Sequence, residues 1–285
     1  MSTPVTPQMV KQLRDRTDQP MGLCQKALVQ SAGDMDKAID WLRSQNKNMG
    51  AVREGNETAE GRIGVFIDPA AKVAAIVEMR CESAPSAKSD QFIALANDLA
   101  KHVAASKPAN VAEALTQTHV GGKGTVADRI NDVVGVIREK MILHRFQRLE
   151  GGVYGAYVHH DGTVGVLLEC SGTAEGDVLR DAATHIAAMN PPYANLAAVP
   201  AEIVAKEKDL VKAEMDGDPK NAGKPENILE KIADGKLKTR LAETVLTEQQ
   251  MANAEKYPKM TVGAALKKAG LEAVKFVRFK VGGLS

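Results

Sequence analysis

Aromatic residues are scarce: Phe, Trp and Tyr together make up 4% of the 285-residue chain. Ala, Val, Ile and Leu must therefore fill the interior, which favours helices and small sheets over an aromatic-rich β-sandwich. An excess charge of one sign is also lacking, because 37 Lys and Arg stand against 36 Asp and Glu, a formal net charge of +1. Such a chain gains little from neutralising a phosphate backbone, so nucleic acid is not an expected partner. Cys24, Cys81 and Cys170 are isolated, with no C-x-x-C and no Cys/His pair at zinc spacing. Neither a disulfide framework nor a structural metal is indicated. No apolar run approaches the roughly 18 residues of a membrane helix, and Met1-Ser2-Thr3-Pro4 has neither part of a secretory signal. The expectation is a cytoplasmic protein with no membrane association, no metal and no cofactor.

What is present is ordinary globular material, 44% apolar and 26% charged, enough for about one to three domains. Thr6 and Pro7 can open a first helix carrying Val10 and Leu13. A second follows from Met21, and Gly33-Asp34 stops it and caps a third, with Met35, Ala38, Ile39 and Leu42 at helical spacing. Residues 1–46 thus read as a three-helix bundle, and 47–60 as a polar linker able to carry some helix.

An internal repeat organises the rest. Gly61–Ile67 with Val73–Glu78 and Gly151–Val158 with Val164–Cys170 each outline a β-hairpin, turning at Asp68-Pro69 and Asp161-Gly162. Each precedes a helix, and Asp98–Pro108 matches Asp181–Pro191 at six of eleven positions, including the shared Asp, His and Pro. Residues 111–149 read as helical. Two charged amphipathic segments, Ala201–Met215 and Glu226–Glu243, form an inserted helical hairpin at about 201–245. Val262–Lys268 reads as a short helix and Val274–Val281 as an alternating strand. The fold class is α+β, with the bundle followed by two related subdomains, 61–150 and 151–285, each holding a small antiparallel sheet.

Motifs for covalent chemistry are absent. Gly121-Gly122-Lys123-Gly124-Thr125 fails as a phosphate loop, since Gln117 occupies the first glycine position and Gly124 the hydroxyl position. His159-His160-Asp161 could converge on a metal only in part, because neighbours on a strand face opposite ways; a solvated turn is the plainer reading. A lone helical histidine is ordinarily a packed or surface residue, and that reading is kept for His102. There are no catalytic residues to name.

In combination, Val10–Thr17, Met21–Leu28, Gly33-Asp34 and Ala38-Ile39 resemble the N-terminal module of the elongation factor Ts family. Further similarities follow in family order: Ile137–Phe146, Thr184–Pro191, Val199–Val204, Gly223–Ile228, Gly235–Lys238, Thr261-Val262 and Val277–Phe279. The resemblance implies a guanine-nucleotide exchange factor that binds elongation factor Tu in its GDP form. Arg14 and Met21 on the bundle would dock on a partner helix. The turn around Val164 and Gly165, and the helix bearing His185, would press near the partner's phosphate loop, with His185 partly exposed. A dimer or a 2:2 complex stays open.

One segment departs from the pattern. Where the family reads T-D-F-V, this chain has Ser83, Ala84, Pro85 and Ser86. The Asp and Phe that would loosen the partner's magnesium are Ala84 and Pro85, and Pro85 biases Ala84 towards an extended backbone. The alternative is a ubiquitin-binding adaptor, since Met21-Gly22-Leu23 with Ala27-Leu28 and Gly33-Asp34 also resembles a ubiquitin-associated domain. That reading leaves the repeat unexplained.

Overall fold

The computed structural model describes residues 4–122, 124–173, 176–221 and 224–283. Thr6 Oγ1 accepts from Met9 N at 3.3 Å, and Pro7 takes the first position of α1 (Pro7–Thr17), where its missing N–H has no helical partner to lose. α2 (Met21–Gln30) ends through Ala32 and Gly33, both in the left-handed region. Asp34 Oδ1 then accepts from the N–H groups of Asp36 and Lys37 and caps α3 (Met35–Val52). Leu13, Cys24, Ala27, Leu28, Ala38 and Leu42 fill the bundle's core.

The stretch read as a linker from 47 is helical as far as Val52. Its contacts supply the reason. Asn46 is 2% exposed and so close to Gly135 that a Cβ there would meet its Oδ1 at 2.1 Å, while Lys47 Nζ reaches Asp128 Oδ1 at 2.8 Å. Both partners lie on α7 (Val126–Ile137). Gln19 Nε2 also donates to Asp132 O at 3.3 Å. Packing against α7 carries α3 past the point where polar composition signals a break.

In the first subdomain β1 (Glu60–Asp68), β2 (Val73–Cys81) and β3 (Met141–Glu150) form an antiparallel sheet in that order. A short turn of helix, α4 (Ala84–Ala87), follows β2, and α5 (Asp90–Ser106), α6 (Val111–Thr116) and α7 complete the unit. The second repeats the plan with β4 (Val153–Val158), β5 (Val164–Gly172), β6 (Leu271–Lys280) and the helices α8 (Asp177–Met189) and α11 (Val262–Lys268). The helices α9 (Ala201–Asp216) and α10 (Glu226–Leu241) are the inserted hairpin; Gly223 lies outside the described residues. Among the described residues no helix is long and apolar enough to cross a membrane.

The helical expectation for 111–149 fails at Met141, where β3 begins. A β-bulge hides the strand. Glu78 pairs with Arg145 but Met79 with Leu143, so His144 is an extra residue and the apolar alternation breaks there. β6 has the same bulge at the same place: Glu169 pairs with Lys275 and Cys170 with Ala273, leaving Val274 unpaired. The repeat therefore extends through the third strand. It reaches side chains, for Arg148 Nε donates to Ala104 O at 2.8 Å and Arg278 Nε to Ala187 O at 3.3 Å.

Between the two sheets lie Ile63, Ala74, Ile76, Leu149, Tyr154, Leu167 and Phe279. Helix and strand approach closely in both halves, since a Cβ on Gly64 would meet Ala96 O at 2.4 Å and one on Gly155 would meet Leu179 O at 2.3 Å. Gly155→Ala should therefore destabilise the chain by about 1–3 kcal/mol through overpacking. Gly235→Ala on α10, where a Cβ meets nothing within 4 Å, should add up to about 1 kcal/mol. Urea midpoints of the two variants check both signs.

Candidate partner interface

α4 is built by a cap. Ser83 is extended, and its Oγ accepts from Ser86 N at 3.4 Å. Glu139 fixes Ser83 in turn, accepting from its N–H at 3.0 Å and its hydroxyl at 2.6 Å. Ala84 is helical rather than extended, contrary to the bias expected before proline. Pro85 falls in the first turn, where no N–H is needed, and the Ser83 cap outweighs the local preference. Pro85 is exposed, whereas Ser86 and Ala87 are buried. Just before it, Glu82 accepts from Lys140 N at 2.5 Å and from Arg53 Nη1 at 3.0 Å, which hold its carboxyl below the usual range. Cys81 is buried and its thiol is pushed up to about 12 by that burial, so it is no nucleophile.

The β4–β5 turn meets the same strand. Cys81, at the foot of α4, pairs with Glu60, and Ile63 N donates to Gly162 O at 2.9 Å. Both loops therefore adjoin the first residues of β1. Val164 is half-buried and Gly165 buried; a Cβ on Gly165 would meet Ile63 Cγ2 at 2.3 Å. These two residues seat the turn. Its exposed tip is His160.

The two adjacent histidines do not face opposite ways, because β4 stops at Val158 and they lie in the turn. Their ring centroids are 4.2 Å apart, and Tyr157 Oη bonds His159 Nδ1 at 3.0 Å. Among the described residues no group of three or more His, Cys, Asp or Glu could hold a metal ion.

On the bundle, Arg14 is exposed and Met21 is 44% exposed at the start of α2. Their helices pack on each other and on α3, and the bundle meets the first subdomain mainly through α3 and α7. In the Gly-rich loop, Lys123 lies outside the described residues. Thr125 is committed to capping α7, donating from its hydroxyl to Asp128 Oδ2 at 2.9 Å and accepting from Asp128 N at 3.1 Å. Lys47, then the Thr125 N–H, hold the Asp128 carboxyl at about 2.

His185 is not the partly exposed residue expected: it is 1% exposed, as is His102. Each is a latch. His185 Nε2 bonds Gln249 Oε1 at 2.8 Å, and its Nδ1 accepts from Ala252 N at 3.1 Å. His102 does the same with Gln117 at 3.0 Å and Val120 N at 3.3 Å. Because Nδ1 accepts a backbone N–H, each ring is neutral with its proton on Nε2. The sequence carried the signal: both histidines recur in register on an otherwise apolar face, with a Gln and a helix-capping Thr downstream. Thr125 and Thr261 open α7 and α11 alike.

A family model described as Elongation factor TS matches residues 85–283. The chain belongs to that family. The match runs from the exposed Pro85 of α4 through both latches to the end of the second sheet, and it includes the inserted hairpin. With the family comes a nucleotide-exchange role in translation elongation, which is not catalysis of a covalent step.

Burial lowers the His185 and His102 pKa below the ordinary 6.5, and the Gln hydrogen bonds oppose it only in part. The unfolded chain therefore binds more protons than the folded one below about pH 6.5. Stability is full above that pH and declines as acidity increases towards the lowered folded values. The urea midpoint should fall between pH 7 and pH 5, and fall less in His102→Gln/His185→Gln; an unchanged midpoint in the parent chain contradicts the latch. His185→Ala at pH 7 should lose about 2–4 kcal/mol, from the cavity and the orphaned Ala252 N–H.

Proposed function

We propose that this chain acts in the cytoplasm on elongation factor Tu, binding the GDP form and accelerating GDP release. The observation that supports the reading most is the convergence of α4 and the β4–β5 turn on one end of β1, within a chain of the Elongation factor TS family. Two exposed tips, Pro85 and His160, then stand on one rigid support. Arg14 and Met21 add a separate contact from the bundle. The exchange is reciprocal coupling: whatever factor weakens GDP on the partner weakens the partner's hold on this chain when GDP is bound. A 100-fold effect needs only about 2.7 kcal/mol of differential binding.

In this reading Pro85 is an apolar wedge without the acidic neighbour of the family pattern, so magnesium is loosened indirectly. More of the work falls to displacement of the phosphate loop by the β4–β5 turn, with His160 as its contact. Val164 and Gly165 hold the turn against Ile63. His185 enters as a positioning residue, keeping α8 and the segment 249–252 in place without touching the partner.

Stopped-flow release of fluorescent GDP from elongation factor Tu tests this at low and high free magnesium. The parent chain should accelerate release by about 100-fold, and His160→Ala should reduce that gain by about tenfold. Ala84→Asp/Pro85→Phe should change the magnesium dependence. An unchanged GDP off-rate at micromolar concentrations of the chain rules the function out; full activity of His160→Ala rules out the turn.

A further inference from the structure

The inserted hairpin has two unlike edges. Along one, charges pair across the helices: Glu207 with Arg240 at 3.2 Å, Glu214 with Lys236 at 3.6 Å, and Glu214 with Arg240 at closer range. Along the other, α9 carries Lys208 and Lys212, and α10 carries Glu230 and Asp234. These four are exposed, and none has an ion pair or side-chain hydrogen bond among the described residues. All four line a groove of about 810 Å³ between the two helices. Its floor is apolar, formed by Val211, Met215, Leu229, Ala233 and Leu237.

Size and charge define an occupant. The groove is several times the roughly 150 Å³ that holds one benzene-sized group, so it has room for a row of apolar side chains. Each rim offers two charges at i and i+4, the spacing at which a helix laid alongside presents successive flanking residues. The α9 rim is basic at Lys208 and Lys212 and ends in the acidic Asp216, while the α10 rim is acidic. We infer that the groove between α9 and α10 is a docking site for an amphipathic helix of a partner protein, whose apolar stripe is flanked by acidic residues on one side and basic residues on the other. The third helix completes a three-helix assembly, burying the stripe on the groove's floor and pairing its flanks with Lys208 and Lys212 on one side and Glu230 and Asp234 on the other. A second copy of the hairpin fits less well, since two concave faces placed together enclose a void. The inference is independent of nucleotide exchange, because none of these residues belongs to α4, the β4–β5 turn or the bundle.

Fluorescence anisotropy on the full chain tests it with labelled helical peptides of about 20 residues, long enough for stable helix. All share leucine at the a and d positions. One has glutamate along one flank and lysine along the other; two controls have glutamate or lysine on both. The mixed peptide should bind about tenfold tighter than either control. Lys208→Glu/Lys212→Glu makes both rims acidic, and should weaken the mixed peptide by about tenfold while strengthening the all-lysine control by a similar factor. Equal binding of the three peptides, or an unchanged order in the variant, overturns the inference. So does sedimentation showing a dimer of the parent chain that the same variant dissolves, for the groove then belongs to a second copy.

Discussion

The fixed relation between α4 and the β4–β5 turn hangs on the contact between the two sheets. Ile63 of β1 lies against the backbone of Gly165, and a side chain at 165 would displace it. Around that point Ala74, Ile76, Leu149, Leu167 and Phe279 close a dry layer, a few kcal/mol of burial for each large side chain. The margin is tied electrostatically. Glu78 is fully buried between the guanidinium groups of Arg80 and Arg145, each at 2.7 Å, and also accepts from Gly282 N at 3.3 Å. Arg145 lies over the Phe279 ring at 4.4 Å. The end of the second subdomain is thereby clasped to the first sheet, and α4 and the β4–β5 turn keep a fixed relation.

The latches explain how one subdomain tolerates a large insertion. His102 reaches a Gln 15 residues on, whereas His185 reaches its Gln 64 residues on, across α9 and α10. Closing the longer loop costs only about 1.3 kcal/mol more, because loop entropy grows with the logarithm of length. Two ring hydrogen bonds and the bridge between 249–251 and 260–262, Val262 N to Gln249 O at 2.9 Å and Met251 N to Met260 O at 3.0 Å, offset that. The hairpin can thus project from a subdomain whose core closes as its unmodified twin does.

Much of this was legible from the residues. Thr6, Gly33 and Asp34 mark helix ends that depend on local chemistry alone, and the hairpin-and-helix repeat follows from register. Two things were not legible, for physical reasons. The third strand of the first sheet was masked because the bulge at His144 interrupts its alternation, and a bulge is chosen by pairing with a distant strand. The extension of α3 rests on Gly135 and Asp128, distant in the sequence. His185 could have been placed correctly: its twin at 102 argued for a shared internal role, since a contact with a foreign protein has no reason to recur in both halves.

On the proposed reading the chain is a frame that presents two small tips and alters a partner's affinity for its nucleotide without breaking a bond. Its energy must come entirely from binding one state of the partner better than another. Titration calorimetry against nucleotide-free and GDP-loaded elongation factor Tu measures that difference directly. Binding to the nucleotide-free form should be tighter by about 100-fold, the same factor by which this chain should weaken GDP. Equal affinity for the two forms would contradict it.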